Sequence, residues 1–289
     1  MNISGIMISF NPNTEELKKV LLAAIKVYDN IYIYDNFSDN QDEVVDCVMG
    51  FEHVHMYPSA KNIGISGLNT LAERAFSEGA DAVSIIDQDS FIPANFRQSV
   101  EKFFSIHPNA VCAPLHIDIN QKSSSSHSFA ITKCWMTKKK IRLSETCKSY
   151  IRTDFAIGSG MTFNMFTWKN IGGFDTQYFI DCADLDMCLR LRAINIDIFL
   201  LSDCIMSHEI GLPRERILFF HVSMHKPIRH YYYFLGILSL ISKGYVPLGF
   251  KIHYGFKLFV QYVMYCFIVK EAKSHRKEIN RAFRDYFGR

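Results

Sequence analysis

The first 115 residues alternate between short apolar runs and amphipathic segments, and this alternation constrains the fold more than any other feature of the chain. The apolar runs Ile3–Phe10, Ile31–Tyr34, Val54–Tyr57 and Ala82–Ile86 predict four strands, each followed by a segment with helical spacing. Strands that alternate with helices favour a parallel sheet with helices on both faces. The sequence therefore predicts an α/β fold with a doubly wound sheet.

Polar side chains cluster directly after three of these predicted strands. The clusters are Asn11–Asn13, Asp35–Ser38 and Asp87–Ser90. Ligands of open parallel sheets bind outside the carboxyl ends of the strands, so all three loops are expected to border one crevice.

Asp87 and Asp89 stand two residues apart at the end of a buried strand. Carboxylate oxygens are the ligands that hard divalent cations prefer, and a cation held there could stabilise the charge of a departing diphosphate. A strand-end turn with a helix cap is the alternative interpretation, since Asp and Ser are common at such positions.

A second acidic group comprises Asp181, Asp184 and Asp186. On a helix, Asp181 and Asp184 are neighbours, whereas Asp186 points elsewhere. Like charges that lie close together raise the pKa of one group, which suits a general base. The alternative is that these acids only complement the helix dipole at its first turn.

Two further features suit anion or metal binding. His208 follows the predicted strand Ile196–Leu201 and could ligate a metal through neutral imidazole, or serve as a hydrogen-bonded loop residue. The segment from Asn62 to Asn69 places Gly64 and Gly67 at a helix start, where backbone N–H groups can approach phosphate. It departs from the G-x-G-x-x-G dinucleotide pattern, and helix capping explains it equally well.

Charge divides the chain into an acidic body and a basic, aromatic tail. Residues 212–289 contain 14 Lys and Arg against 4 Asp and Glu, whereas residues 1–211 contain 18 against 25. The apolar run Leu258–Val269 is too short to span a bilayer, but with Lys270 and Lys273 after it the run favours an amphipathic helix at a membrane surface. Packing on the sheet domain and a dimer surface are the alternatives. The acidic body and the lack of an RNA-binding signature argue against nucleic acid.

Seven segments, taken in order, resemble the family 2 glycosyltransferases and in particular their bacterial rhamnosyltransferase branch. They are ISFNPN, IYIYDNFS, NIGISGLN, IIDQDS, IGSGMTF, IGGFDTQYFIDCADLDMCLRL and SHEIG, within residues 3–211. The resemblance implies a GT-A fold in residues 1–211, that is, a Rossmann-like and mostly parallel sheet with helices on both faces. It leaves residues 212–289 as a helical region for membrane association or oligomerisation.

The resemblance also implies roles for individual residues. Asp184 matches the catalytic base, flanked by Asp181 and Asp186. Asp87 and Asp89 match the metal-diphosphate motif, with Asp89 favoured as the direct ligand and His208 as a further metal or phosphate contact. The matches to the nucleotide and donor-sugar site are Asp35 at the pyrimidine ring, Phe10 and Asn11 beside it, Asn62 and Gly64 near the sugar, and Gly158, Ser159 and Gly160 at the sugar and acceptor.

The activity so implied is an inverting, metal-dependent transfer of a sugar to a lipid-linked or growing cell-surface polysaccharide such as O-antigen or capsule. The expected donor is dTDP-L-rhamnose and the expected cofactor is Mg²⁺ or Mn²⁺. A UDP-hexose transferase, a nucleotidyltransferase and an inactive nucleotide-sugar-binding scaffold are alternatives. The chain departs from the branch at Met187, where Trp is frequent, and at Phe234–Gly236, where Arg-Asn is frequent. We expect a cytoplasmic protein, bound peripherally to the cytoplasmic face of the bacterial membrane, and possible homo-oligomers.

Overall fold

An eight-stranded mixed sheet forms the centre of the protein, in the order β3-β2-β1-β4-β9-β5-β10-β8. The computed structural model describes residues 1–118, 127–132, 137–142, 149–208, 214–217, 220–223 and 225–288. The sheet strands are β1 (Ile3–Ser9), β2 (Asn30–Asp35), β3 (Val54–Pro58), β4 (Ala82–Asp87), β5 (Val111–Asp118), β8 (Tyr150–Thr153), β9 (Thr162–Asn164) and β10 (Ile198–His208). Two hairpins lie outside it, β6 (His127–Thr132) with β7 (Thr137–Arg142), and β11 (Arg214–Ile217) with β12 (Phe220–Ser223).

The first four strands are parallel, as their alternation with helices predicts. Strand β1 pairs with β2 on one side and with β4 on the other, so Ser9 lies opposite Asp35 and Ile8 opposite Asp87. The connecting helices are α1 (Thr14–Ala24), α2 (Gln41–Val48), α3 (Gly67–Ser77) and α4 (Phe96–Ile106). The carboxyl ends of β1, β2 and β4 therefore share one edge of the sheet.

Two short antiparallel strands make the sheet mixed. The three-residue strand β9 runs antiparallel to both β4 and β5, and β8 runs antiparallel to β10. Since β9 is antiparallel to both β4 and β5, these two strands run in the same direction, and β10, which is parallel to β5, shares it. The predicted mostly parallel α/β sheet is confirmed.

Side chains alternate between the two faces of the sheet and enter two separate buried clusters. On β1, Ile6 belongs to one cluster, while Ile3 and Met7 belong to the other. The first cluster also takes residues from α3, from α6 (Ala183–Ala193) and from the C-terminal helices, including Phe234. The C-terminal region therefore packs on the same face of the sheet as α6.

The C-terminal region consists of α7 (Pro227–Ser242), α8 (Leu248–Val263), a π-helical turn (Met264–Ile268) and α9 (Ala272–Phe287). The predicted amphipathic run Leu258–Val269 is therefore divided between α8 and the π-helical turn. The boundary expected at residue 211 lies outside the described residues. Within the part of the chain that the structure describes, no helix combines the length and the apolar character needed to cross a bilayer.

Candidate active site

The loops after β1, β2 and β4 are joined by hydrogen bonds at the carboxyl edge of the sheet. The Phe10 amide donates to Gln88 Oε1 at 2.9 Å, and the Asn11 amide donates to Ser38 Oγ at 2.8 Å. The Asn11 side chain also pairs with Asp39, whose amide donates to Asn11 Oδ1 at 2.7 Å. Asn11 has a φ of 45°, a conformation that Asn tolerates better than most residues. The three predicted loops thus meet at one edge of the sheet, where the crevice is expected, and Phe10 is 45% exposed there.

Asp35 ends β2 and is fully buried beneath this crevice. Its carboxylate accepts hydrogen bonds from the amide and hydroxyl of Ser38 and from Gln41 Nε2, the last at 2.7 Å. A carboxylate has about four acceptor positions, so three are engaged within the loop. A pyrimidine ring at Asp35 would therefore take the remaining position or displace one of these donors.

The segment that begins at Asn62 closes the next side of the crevice. The Asn36 side chain accepts a hydrogen bond from the Ile63 amide at 2.7 Å through Oδ1 and donates one to the Gly64 carbonyl at 3.2 Å through Nδ2. The Asn62 Oδ1 accepts a hydrogen bond from the Gly64 amide at 2.9 Å. Gly64 is buried with φ +61°, and a Cβ there would lie 1.9 Å from the carbonyl oxygen of Phe179. Glycine is required at this position because the loop before α6 approaches so closely.

Asp184 lies in the first turn of α6, next to the loop that contains Gly158. The Gly158 amide donates to Asp184 Oδ2 at 3.0 Å. The pKa of Asp184 is raised to about 6, with burial as the largest cause; the Gly158 amide opposes the rise, and the negative charges of Asp87 and Asp181 add to it. The charges of the two predicted acidic motifs therefore influence each other.

The loop Gly158–Gly160 connects Asp184 to the central strand β4. The Gly160 amide donates to the Ile85 carbonyl at 2.7 Å, and the Met161 carbonyl accepts from the Ile85 amide at 3.0 Å. Gly160 has a φ of +76° and packs against Pro114, where a Cβ would collide. The Ser159 hydroxyl is buried and has no hydrogen-bond partner among the described residues.

Asp181 is held by a residue that the sequence motifs did not assign to the site. Arg229, at the start of α7, pairs with both carboxylate oxygens of Asp181, with N···O distances of 3.0 and 3.1 Å. Asp181 and Cys182 have φ values of 39° and 65°. Two consecutive left-handed residues cost of order 1–3 kcal/mol each, so the surrounding contacts must impose this turn.

Asp186 is placed apart from this group, as its helical position predicts. Its carboxylate is fully buried and accepts from Arg190 Nε at 2.6 Å and from the Tyr245 hydroxyl at 2.5 Å. Arg190 also donates to the carbonyls of Ile171 and Gly173. These hydrogen bonds join α6 to the segment Ile171–Gly173 and to Tyr245. Asp186 therefore stabilises the packing of α6.

The metal ligands expected from the sequence are partly within the described structure. Asp87 is half-buried and Asp89 is exposed at the crevice. His208 ends β10 at the same edge of the sheet, and its side chain lies outside the described part. Among the described residues, no group of three or more His, Cys, Asp or Glu side chains is arranged to hold a metal ion.

Sequence reasoning assigned no individual role to four residues that organise the loops, although two of them, Ser38 and Gln88, lie in the predicted polar clusters. The four are Ser38, Gln41, Gln88 and Arg229. Gln88 stands between the two predicted metal ligands, which is a weak signal of a role there. Nothing local in the sequence indicates that Arg229 contacts Asp181, 48 positions away.

Comparisons with known proteins agree with this architecture. No protein-family model matches the chain. It is 25% identical over 252 residues to the dTDP-rhamnosyl transferase RfbF of Shigella flexneri, covering 86% of this chain and 82% of the relative.

Two solved structures share the fold. The chain superposes on S. aureus TarS residues 1–349 in complex with UDP-GlcNAc with a TM-score of 0.60 and 13% identity, covering 99% of this chain and 80% of that one. It superposes on GalNAc-T7 with UDP, GalNAc and Mn²⁺ with a TM-score of 0.58 and 13% identity, covering 99% of this chain and 58% of that longer one. The relative and the shared fold support the resemblance of this chain to the rhamnosyltransferase-like group of the family 2, GT-A-fold glycosyltransferases.

Proposed function

We propose that this chain is an inverting glycosyltransferase that moves a sugar, with L-rhamnose from dTDP-L-rhamnose favoured, to a lipid-linked or growing cell-surface polysaccharide. The observation that carries the proposal is the Asp184 carboxylate, with its pKa raised to about 6, held by the Gly158 amide and electrostatically coupled to Asp87. The choice of dTDP-L-rhamnose as the favoured donor is supported by the sequence similarity to RfbF, a dTDP-rhamnosyl transferase.

The proposed chemistry is one displacement at the anomeric carbon. The acceptor hydroxyl gives its proton to Asp184 as its oxygen bonds to that carbon, and the bond from the same carbon to the diphosphate oxygen breaks. A base is most effective when its pKa lies near the working pH, and a pKa of about 6 meets that condition better than an ordinary Asp. Attack from the face opposite the leaving group inverts the configuration.

A divalent cation fits the donors after β4. Asp87 and Asp89 offer two carboxylates, and Mg²⁺ in such sites commonly takes one or two carboxylates together with substrate phosphates and water. Asp89 and Asp87 would hold the ion, which when bound stabilises negative charge on the departing nucleoside diphosphate.

We also propose that the region 212–289 rests on a membrane surface. Helix α8 exposes a stripe of apolar side chains at helical spacing, each between 36% and 70% exposed: Leu248, Ile252, Phe256, Phe259 and Val263. We call this set the α8 stripe. Residues 243–270 contain four Lys and no Asp or Glu. An exposed apolar stripe on a segment whose charged residues are all Lys suits the interface of an anionic bilayer.

A thermal-shift panel with dTDP, UDP, GDP and ADP, each with and without Mn²⁺, tests the donor and metal claims. A ligand at 100 times its Kd adds about 2.7 kcal/mol of stability. We expect the largest Mn²⁺-dependent shift with dTDP, and we expect Asp89→Ala to abolish the Mn²⁺ dependence. A larger shift with UDP would favour a UDP-hexose donor. A folded protein with no metal-dependent shift for any nucleotide would contradict the proposal.

Analysis of the products separates this activity from nucleotidyl transfer. A glycosyltransferase releases a nucleoside diphosphate, whereas a nucleotidyltransferase releases pyrophosphate. We expect dTDP to accumulate when the protein, dTDP-L-rhamnose, Mn²⁺ and membranes carrying glycan acceptors are combined.

A further inference from the structure

A groove of about 960 Å³ lies between α7, α8 and α9, and the reaction proposed above makes no use of it. Its lining is mostly apolar, with Leu238 from α7, Leu258 and Phe259 from α8 and Phe283 from α9. Leu258 is only 5% exposed and forms the floor, whereas Phe259 is 65% exposed at the edge. Volumes of this size are typical of small-molecule sites.

Helix α9 adds two cations to the same groove. Lys277 and Arg284 both line it, and both side chains are exposed. They are seven residues apart, which places them on one face of the helix about 10 Å from each other along its axis. The nearby acid Asp285 accepts the Tyr231 hydroxyl at 2.8 Å. The groove therefore combines an apolar floor with positive charge along one wall.

The groove opens toward the surface that is proposed to meet the membrane. Phe259 belongs both to the groove lining and to the α8 stripe. Phe256 and Val263 precede and follow Phe259 on that stripe, at three and four residues, and so lie one turn away. A hydrocarbon chain could therefore pass between the bilayer and the groove without crossing a polar surface.

We propose that this groove binds one hydrocarbon chain of a phosphate-bearing membrane lipid, with Lys277 and Arg284 at its phosphate. Charge complementarity favours this occupant over a second copy of the chain. A symmetric dimer through this face would bring two strongly basic surfaces together, since residues 212–289 contain 14 Lys and Arg against 4 acids. The inference extends the proposed membrane contact and does not depend on glycosyl transfer.

Gly255 offers a direct test because it lines the groove and a Cβ there meets nothing within 4 Å. Gly255→Leu should fill the groove and, in a helix interior, Leu is favoured over Gly by several tenths of a kcal/mol. Gly50→Leu is the matched control, since Gly50 also has open space around its Cβ and lies outside the groove.

The probe is dodecyl phosphate below its critical micelle concentration, titrated calorimetrically into the full chain. Inorganic phosphate and an uncharged dodecyl glycoside serve as separate arms. We expect one dodecyl phosphate per chain, at least tenfold weaker binding to Gly255→Leu, and unchanged binding to Gly50→Leu. The double change Lys277→Gln and Arg284→Gln should weaken dodecyl phosphate at least fivefold and leave the glycoside unaffected.

Several results would overturn the proposal. Equal affinity for Gly255→Leu and the unaltered chain would place the lipid elsewhere. Inorganic phosphate that binds as tightly as dodecyl phosphate would indicate a free-anion site. A concentration-dependent dimer that Gly255→Leu abolishes would identify a second copy as the occupant. Nucleotide-induced thermal shifts, measured on the same variants, should stay unchanged, so that a failure here is distinct from a failure of the proposed activity.

Discussion

Arg229 and Asp181 form a bidentate ion pair that connects the C-terminal helix α7 to the turn three residues before Asp184. The negative charge of Asp181 is one of the influences that raise the pKa of Asp184. The guanidinium of Arg229 partly neutralises that charge. We therefore expect the C-terminal region to act on the electrostatics of the candidate base through the pair of Arg229 with Asp181.

Replacing Arg229 should change how the reaction depends on pH. In Arg229→Gln, the unbalanced charge of Asp181 should raise the pKa of Asp184 above its value of about 6. The acid limb of the kcat/KM profile should move to higher pH, so that activity falls more at pH 6 than at pH 8. We expect Arg229→Lys to restore part of the profile because it retains the charge.

The control for this prediction is Arg152→Gln, which removes an exposed arginine paired with Asp197, outside the candidate site. Its profile should match that of the unaltered chain. An Arg229→Gln enzyme that loses activity equally at every pH would show that the ion pair has only a structural role.

Neutralising Asp184 should stabilise the fold while it abolishes transfer. The folded-state pKa, about 6, lies above the ordinary value of 3.8, so the folded chain binds the proton more tightly and loses stability as pH rises between these values. The Asp184→Asn variant has no such titration, so at pH 8 its free energy of unfolding should exceed that of the unaltered chain by up to about 3 kcal/mol. The difference should shrink toward pH 4 in denaturant unfolding measured at both pH values.

Asp186→Asn is the matched variant on the same helix. It breaks a buried pair with Arg190, and loss of one partner of such a pair typically costs about 3–5 kcal/mol. Opposite signs for the two substitutions at pH 8 are therefore expected. An Asp184→Asn protein that is destabilised at pH 8 would argue against a desolvated carboxylate at that position.

The sequence alone predicts those parts of the fold that depend on local patterns. The alternation of apolar runs with helical segments predicts strands β1–β4 and their parallel orientation. The polar residues at the strand ends predict that the three loops meet. Strand β9 has only three residues, which is too short for a periodic signal, yet it separates β4 from β5.

Contacts between distant positions account for what the sequence pattern leaves out. Spacing predicts that Asp186 points away from Asp184, but its partner Tyr245 lies 59 positions further on. That Asp87 and Asp184 belong to one site is implied by the family resemblance and not by spacing. Within the predicted run Leu258–Val269, only tertiary packing determines that Leu258 is buried while Phe259 is exposed.

Gly64 should tolerate no side chain, because two separate costs combine there. Alanine at Gly64 would adopt φ +61°, which costs about 1–2 kcal/mol, and its Cβ would lie 1.9 Å from the Phe179 carbonyl oxygen. Gly172 has a similar φ of +73° with nothing within 4 Å, so Gly172→Ala isolates the first cost. We expect losses of more than about 3 kcal/mol for Gly64→Ala and about 1 kcal/mol for Gly172→Ala in urea unfolding. Equal losses would show that the Phe179 loop moves aside easily.

Membrane binding through the α8 stripe should be sensitive to a single charge at its centre. Phe256 is 69% exposed, so Phe256→Glu should leave the fold intact while it places an acid among the apolar side chains that enter an anionic bilayer. In flotation with vesicles containing phosphatidylglycerol, we expect at least a tenfold loss of bound protein.

Phe166→Glu is the control, because Phe166 is 58% exposed on α5 (Met165–Ile171), outside the stripe. It should float like the unaltered chain. Binding of the unaltered chain should also fall as salt is raised from 0.05 to 0.5 M, since basic residues near an anionic surface are screened over about 10 Å at 0.1 M. Equal flotation of the two variants would mean that the stripe is covered by another surface, and salt-independent binding would remove the electrostatic part of the membrane proposal.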